Sequence, residues 1–117
     1  MSSTNNKQPV STLMLPAKVD SVTATAVEQT LLAALRPGAR LIVDGSQVAY
    51  MSAAGVRTFA SVLHQAANVQ ARIVFCSFAG AAWACLLVSG FSELLEIART
   101  AQEAAPSPDR HPRLPGA

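Results

Sequence analysis

The chain has 117 residues, of which half are apolar, 14% charged and 5% aromatic, and its formal net charge is +2. That length gives one domain, and that composition excludes an intrinsically disordered chain, which would be polar and highly charged. Between Ala17 and Ala105 six basic residues meet six acidic ones, so the excess charge belongs to the ends (Lys7, Arg110 and Arg113 against Asp109). A neutral body lacks the basic patch that displaces counterions from nucleic acid, and no nucleic-acid partner is expected.

Residues 1–10 read as a flexible leader; the stretch MSSTNNKQPVST is polar and holds no apolar core of a secretory signal. Ser11 to Leu15 is a short apolar run ended by Pro16, as in a strand. Asp20 or Ser21 can cap a helix in which Ala24, Val27, Leu31 and Leu35 follow helical spacing, and Arg36-Pro37-Gly38 stops it. Arg40 to Asp44 reads as a buried strand, Gly45-Ser46 as a turn, and Val48 to Met51 as a brief apolar lead into a second helix. That helix has the clearest period in the chain, with Val56, Phe59, Ala60, Leu63, Ala66 and Ala67 on one stripe. His64 falls beside the stripe, as a surface side chain with no second ligand in view.

Arg72 to Cys76 predicts a third strand, and Ser77 to Ser89 a third helix with Gly90 in the left-handed conformation at its end. Phe59 and Trp83 are expected in the core, and Trp83, Leu86 and Leu87 are expected to pack that helix on the sheet. Leu94 to Ile97 predicts a last short strand, and Thr100-Ala-Gln-Glu103 is a capping box that opens a final helix. Residues 106–117 hold four prolines in twelve positions and read as a disordered tail, which leaves 11–105 as the domain. Alternating strands and helices at this spacing predict an α/β fold with about four mainly parallel strands and four helices packed on the sheet.

Ile73 to Ser92 is twenty residues without a charge, long enough to span a bilayer. Its serines and glycines make it weakly apolar for that purpose. It reads instead as a buried strand, a turn and a mostly buried helix, so no membrane insertion is expected. Cys76 and Cys85 stand in apolar surroundings without zinc spacing, which predicts two reduced, buried thiols in a cytoplasmic protein and no metal or cofactor.

No phosphate-binding glycine loop and no nucleophile elbow occurs. Asp44 ends a strand, where an α/β enzyme often places a carboxylate, and an enzyme using Asp44 and Ser46 is one reading. The other is that Asp44 caps the turn at Gly45-Ser46. With no further chemistry in view, a non-catalytic binding or regulatory module is expected.

The stretch LIVDGSQVAYMSAAGVRTFASV resembles the STAS domain family, to which the bacterial anti-sigma factor antagonists belong. The strand ending at Asp44, the Val48-to-Met51 stretch and Ser52-Ala53-Ala54-Gly55 match the family's strand, turn and Asp-Ser-Ser-Gly segment. Leu15-Pro-Ala-Lys-Val-Asp20 is similar to its apolar-Gly-x-x-Asp segment. Leu86 with Gly90-Phe91, and Thr100 to Ala104, match two later motifs. The resemblance covers roughly residues 11 to 105.

It implies binding of a kinase-like anti-sigma factor, which releases a sigma factor, and phosphorylation of the Ser directly after the motif's Asp. In this chain the Asp position is Ser52, the phosphoacceptor position is Ala53, and the usual early Gly is Ala17. Asp20, Ser52, Ala53, Ala54, Gly55 and Thr58 are the expected partner patch. Ser52 serves as helix cap, Thr58 lies exposed off the stripe, and these two hydroxyls are the remaining candidate phosphoacceptors. The small residues Ala53 to Gly55 either admit a partner backbone or let the helix sit tightly on its strand. The alternative within the family is a STAS subunit of an ABC-type lipid transporter or of another signalling assembly. A homodimer is compatible with either reading.

Overall fold

A computed structural model describes residues 9–105, so the leader before Pro9 and the tail expected at 106–117 lie outside the described residues. Four strands, β1 (Val10–Met14), β3 (Arg40–Asp44), β5 (Arg72–Cys76) and β6 (Ile97–Ala98), form one sheet in the order β1-β3-β5-β6. Every neighbour in it is parallel. A second, two-stranded parallel sheet joins β2 (Lys18–Val19) to β4 (Tyr50–Met51). The helices are α1 (Ala24–Ala34), α2 (Ala53–Asn68), α3 (Gly80–Ser89) and α4 (Ala101–Ala104).

The central strands are apolar on both faces, as parallel strands covered on both sides must be. Leu41, Val43, Ile73 and Phe75 point into the main core with Val27 and Leu31 of α1, Phe59 and Val62 of α2, and Leu86 of α3. Ile42, Val74 and Cys76 point the other way, onto Ala104 of α4. Aromatic mass is concentrated at one point: the Phe59 and Phe75 rings lie 4.7 Å apart, and Phe78 lies 6.2 and 6.3 Å from them. A Cβ on Gly45 would stand 2.5 Å from the Phe78 ring, so the turn after β3 is a glycine where that ring closes over it. Asp44 caps this turn, its Oδ1 accepting the Ser46 N–H at 2.8 Å.

α4 is tied to the sheet by Arg40, a buried side chain whose Nη1 donates to the Ala104 carbonyl. Removal from water lowers the Arg40 pKa, with the Arg72 charge adding to the effect and Glu96 opposing it. The capping box at Thr100 closes on one side, where Thr100 Oγ1 accepts the Glu103 N–H at 3.1 Å. Glu103 reaches back one residue further than the motif predicts, to the Arg99 N–H at 3.1 Å.

Several expectations need correction. The last strand is Ile97–Ala98 rather than Leu94 to Ile97, because a 3-10 turn at Phe91–Glu93 takes up the preceding chain. α3 starts at Gly80 rather than Ser77, since Ser77 has φ 68 and cannot continue a right-handed helix. α3 is mostly exposed, with only Ala82 and Leu86 buried. Trp83 is 36% and Leu87 51% exposed, so neither packs in the core. Cys76 is buried as expected, but Cys85 is half-buried. On α2, Ala67 faces solvent and Val62 is buried instead, while His64 is exposed as expected. Among the described residues no helix is long and apolar enough to cross a membrane.

α2 ends in a paired left-handed cap: Ala71 N–H reaches the Ala66 carbonyl at 2.8 Å and Gln70 N–H the Ala67 carbonyl at 3.2 Å. The residue at its left-handed position is Gln70, φ 61, where glycine carries no Cβ penalty. Gln70→Gly is therefore expected to raise stability by about 1 kcal/mol, the cost of a non-glycine residue in this region. An unchanged or lower urea midpoint would contradict that origin.

Candidate partner-binding site

The small sheet builds the site. β2 and β4 run parallel with Val19 opposite Met51, so Asp20 and Ser52 leave the same end side by side. Both strands are two residues long and hold no readable period, which is why the sequence showed only an apolar stretch there. Ser52 N–H donates to the Val19 carbonyl at 3.0 Å and continues the pairing by one step. The chain then turns directly into α2.

Ser52 is the N-cap of α2, in extended conformation, with its Oγ accepting the Gly55 N–H at 3.3 Å. Ala53, the first helical residue, is exposed, and Ala54 is half-buried. Gly55 is buried, and a Cβ there would lie 2.1 Å from the Val19 oxygen and 2.6 Å from its carbonyl carbon. Of the two readings of the small residues, close packing of helix on strand therefore holds for Gly55, which presents no surface to a partner.

Thr58 is also buried, at 6% exposure, contrary to its expected place off the apolar face. α1 packs along α2 while the main sheet lies under it, so the buried arc is wider than one stripe. The Thr58 hydroxyl is turned inward to the Ala54 carbonyl at 3.5 Å and cannot meet a kinase without opening the helix.

Asp20 is half-buried in a tight local network. Its Oδ1 accepts the Val22 N–H at 3.0 Å and the Thr23 N–H at 3.1 Å. Thr23 Oγ1 accepts the Asp20 N–H and donates to the Lys18 carbonyl, both at 3.0 Å. Asp20 thus shapes the turn before α1; the helix N-cap is Thr23, with no side-chain cap bond of its own. The Thr23 N–H, chiefly, holds the Asp20 carboxyl below the usual carboxylate range, against some desolvation and with help from the Val22 N–H. Val22, 87% exposed on this turn, and the exposed Arg57 on α2 flank the patch. Neither carried a sequence signal, since both are ordinary surface residues by pattern.

Asp20, Ser52 and Ala53 are therefore brought to one end of the small sheet, while Gly55 is packed on Val19 and Thr58 is buried. Among the described residues no group of His, Cys, Asp and Glu is placed to hold a metal ion.

Ser52→Ala should cost about 1 kcal/mol of stability through loss of the cap. Gly55→Ala should cost far more or prevent folding, because the clash is with backbone; a wild-type melting profile would refute the close approach. The folded-state pKa of Asp20 lies below its unfolded value, so its contribution is present above the unfolded pKa of about 3.9 and lost as pH falls through the folded one. Asp20→Asn should accordingly flatten the acid limb of the stability profile, measured by urea titration from neutral pH downward.

The family model described as "Mlab, STAS domain" matches residues 3–96. No curated protein matches the chain in sequence. Among solved structures, an anti-sigma factor antagonist from Mycobacterium paratuberculosis is 20% identical, with a TM-score of 0.71 over 86% of each chain. An anti-sigma-factor antagonist (STAS) domain protein from Planctomyces limnophilus is 19% identical, with a TM-score of 0.70 over 81% of this chain and 86% of that one. A sulfate transporter family protein from Wolinella succinogenes is 14% identical, with a TM-score of 0.66 over 81% of this chain and 80% of that one. These likenesses show a common fold, and the family match spans most of the sequence: the chain belongs to the STAS domain family.

Proposed function

We propose that this protein is a non-catalytic, cytoplasmic regulatory module that binds a kinase-like anti-sigma factor and thereby releases a sigma factor. The start of α2 and the Asp20 turn form the contact surface in this reading. The observation that carries it is the exposed Ala53 at the first position of α2, flanked by the capping Ser52 and by Asp20.

The same observation sets the regulation. Family members of this kind accept a phosphoryl group at the position of Ala53. A phosphoryl group would bring close to two negative charges into a desolvated interface and drive the partners apart. Ala53 has no hydroxyl, Thr58 is buried, and the Ser52 oxygen is engaged as a cap. The module is thus permanently competent to bind at this surface, and control lies in its supply or in the partner.

A second reading is a STAS subunit of an ABC-type lipid transporter; the same fold in a sulfate transporter family protein from Wolinella succinogenes supports only a transport setting for it. The surface would be the same and the partner a transporter ATPase.

Tagged wild type and Ala53→Glu, used to capture partners from the native lysate, separate the readings. Glutamate is favourable in the first turn of a helix, so the variant should fold. Loss with Ala53→Glu of a kinase-like ATPase supports the antagonist reading, and loss of a transporter ATPase supports the second. Capture indifferent to Ala53 rejects both. With the purified kinase-like partner and ATP, wild type should show no gain in intact mass and Ala53→Ser should gain one phosphoryl group. A gain on wild type would overturn the proposed regulation.

A further inference from the structure

The strand order leaves β1 at one margin of the main sheet, paired among the described residues with β3 alone. The Arg40 N–H donates to the Pro9 carbonyl at 2.8 Å, and the Leu15 N–H to the Asp44 carbonyl at 2.9 Å. Backbone groups alternate in direction along a strand, so Pro9, Ser11, Leu13 and Leu15 direct theirs at β3. The N–H and C=O groups of Val10, Thr12 and Met14 therefore point outward. Such an edge is a template for another strand, and proteins usually blunt it with a charge, a proline or a bulge. From Pro9 to Ala17 the chain carries no charge, and no proline interrupts β1.

The side chains at this edge are exposed as well. Thr12 lies opposite Ile42, so Val10, Thr12 and Met14 share the face on which Ile42, Val74 and Cys76 meet α4. α4 packs on β3, β5 and β6, whereas Val10 and Met14 stand 43% and 49% exposed, with Thr12 exposed between them. By chemical type this face of β1 reads apolar, hydroxyl, apolar, the same in either direction.

We infer that β1 pairs with β1 of a second copy of this chain, antiparallel about a twofold axis at Thr12, joining the two main sheets into one. In that register the outward N–H and C=O of Thr12 meet those of its copy. Val10 and Met14 of each chain exchange bonds with Met14 and Val10 of the other, and no outward group of β1 is left over. Centred on Leu13, the pairing would set Val10 against Pro16, which has no N–H to donate. Centred on Ser11, it would leave Met14 without a partner inside β1. The Thr12 register also lays each exposed Val10 beside an exposed Met14 and brings the two Thr12 side chains together, both favourable cross-strand pairs. A twofold contact needs a surface complementary to itself, and an uncharged strand sets no like charges against each other. The inference is independent of the reading of Ala53.

Sedimentation equilibrium of the full chain over a concentration series should show a reversible monomer–dimer equilibrium. Thr12→Pro removes the central N–H donor of each chain and leaves the bonds to β3, since an edge strand accepts proline with its nitrogen outward. Thr12→Lys keeps the backbone and sets two ammonium groups across the axis. Each should weaken the dimer about tenfold or more, with circular dichroism close to wild type. Val88→Lys, at an 89% exposed position on α3, should change it less than about twofold. Should Thr12→Pro fail to fold, Thr12→Lys decides.

Thr12→Cys supplies a positive signal. Hydrogen-bonded antiparallel partners have Cα atoms about 5.5 Å apart, within the range of about 4.4 to 6.8 Å that a disulfide spans. Mild oxidation should give a covalent dimer whose linked peptides map to position 12 of both chains rather than to Cys76 or Cys85. Wild type that sediments as a monomer throughout would overturn the inference, and so would a dimer indifferent to both Thr12→Pro and Thr12→Lys. Equal weakening by Val88→Lys, or no bond at position 12 in a sample that sediments as a dimer, would overturn it too.

Discussion

The carbonyl of Val19 accepts the Ser52 N–H while Gly55 presses its bare Cα against the same peptide group. This contact fixes where α2 begins. It holds the helix start over the small sheet, and the small sheet in turn holds Asp20 beside Ser52. Any side chain at position 55 would push helix and strand apart and dissolve the surface on which Asp20, Ser52 and Ala53 meet. The buried glycine is thus a condition for the site without being part of its exterior.

The parts legible in the sequence were those with enough length to show a period. β3, β5 and the bulk of α2 follow from apolar runs and helical spacing, and the turn at Asp44 from its residues. β2 and β4 escaped because two residues cannot display alternation; only the resemblance through Lys18-Val19-Asp20 and Ser52 to Gly55 pointed there. Thr58 was misplaced because helical spacing describes one buried stripe, whereas the start of α2 is enclosed from two directions. Trp83 was misplaced for the opposite reason: α3 has no charged residue, so its sequence carries no mark of which side meets water.

At the start of α2 the cap is Ser52 and the first helical residue is the exposed Ala53, which has no hydroxyl. Asp20, whose ionisation is favoured by the Thr23 and Val22 amides, is committed to the backbone turn. What the helix start offers is its shape and the methyl group of Ala53.

The order β1-β3-β5-β6 means that each strand of the main sheet lies beside the one made immediately before it in that sheet. Paired residues are 30 apart for Val10 with Arg40, 32 for Arg40 with Arg72 and 22 for Phe75 with Ile97, and because closure cost grows only with the logarithm of length the three steps cost nearly the same. During synthesis the sheet can be assembled in one direction, with no strand waiting for a later one to be inserted between it and its neighbour. Only the outer edge of the newest strand is unpaired on the growing side at any moment. That limits the time for which an apolar strand edge is open to association with other chains on the ribosome.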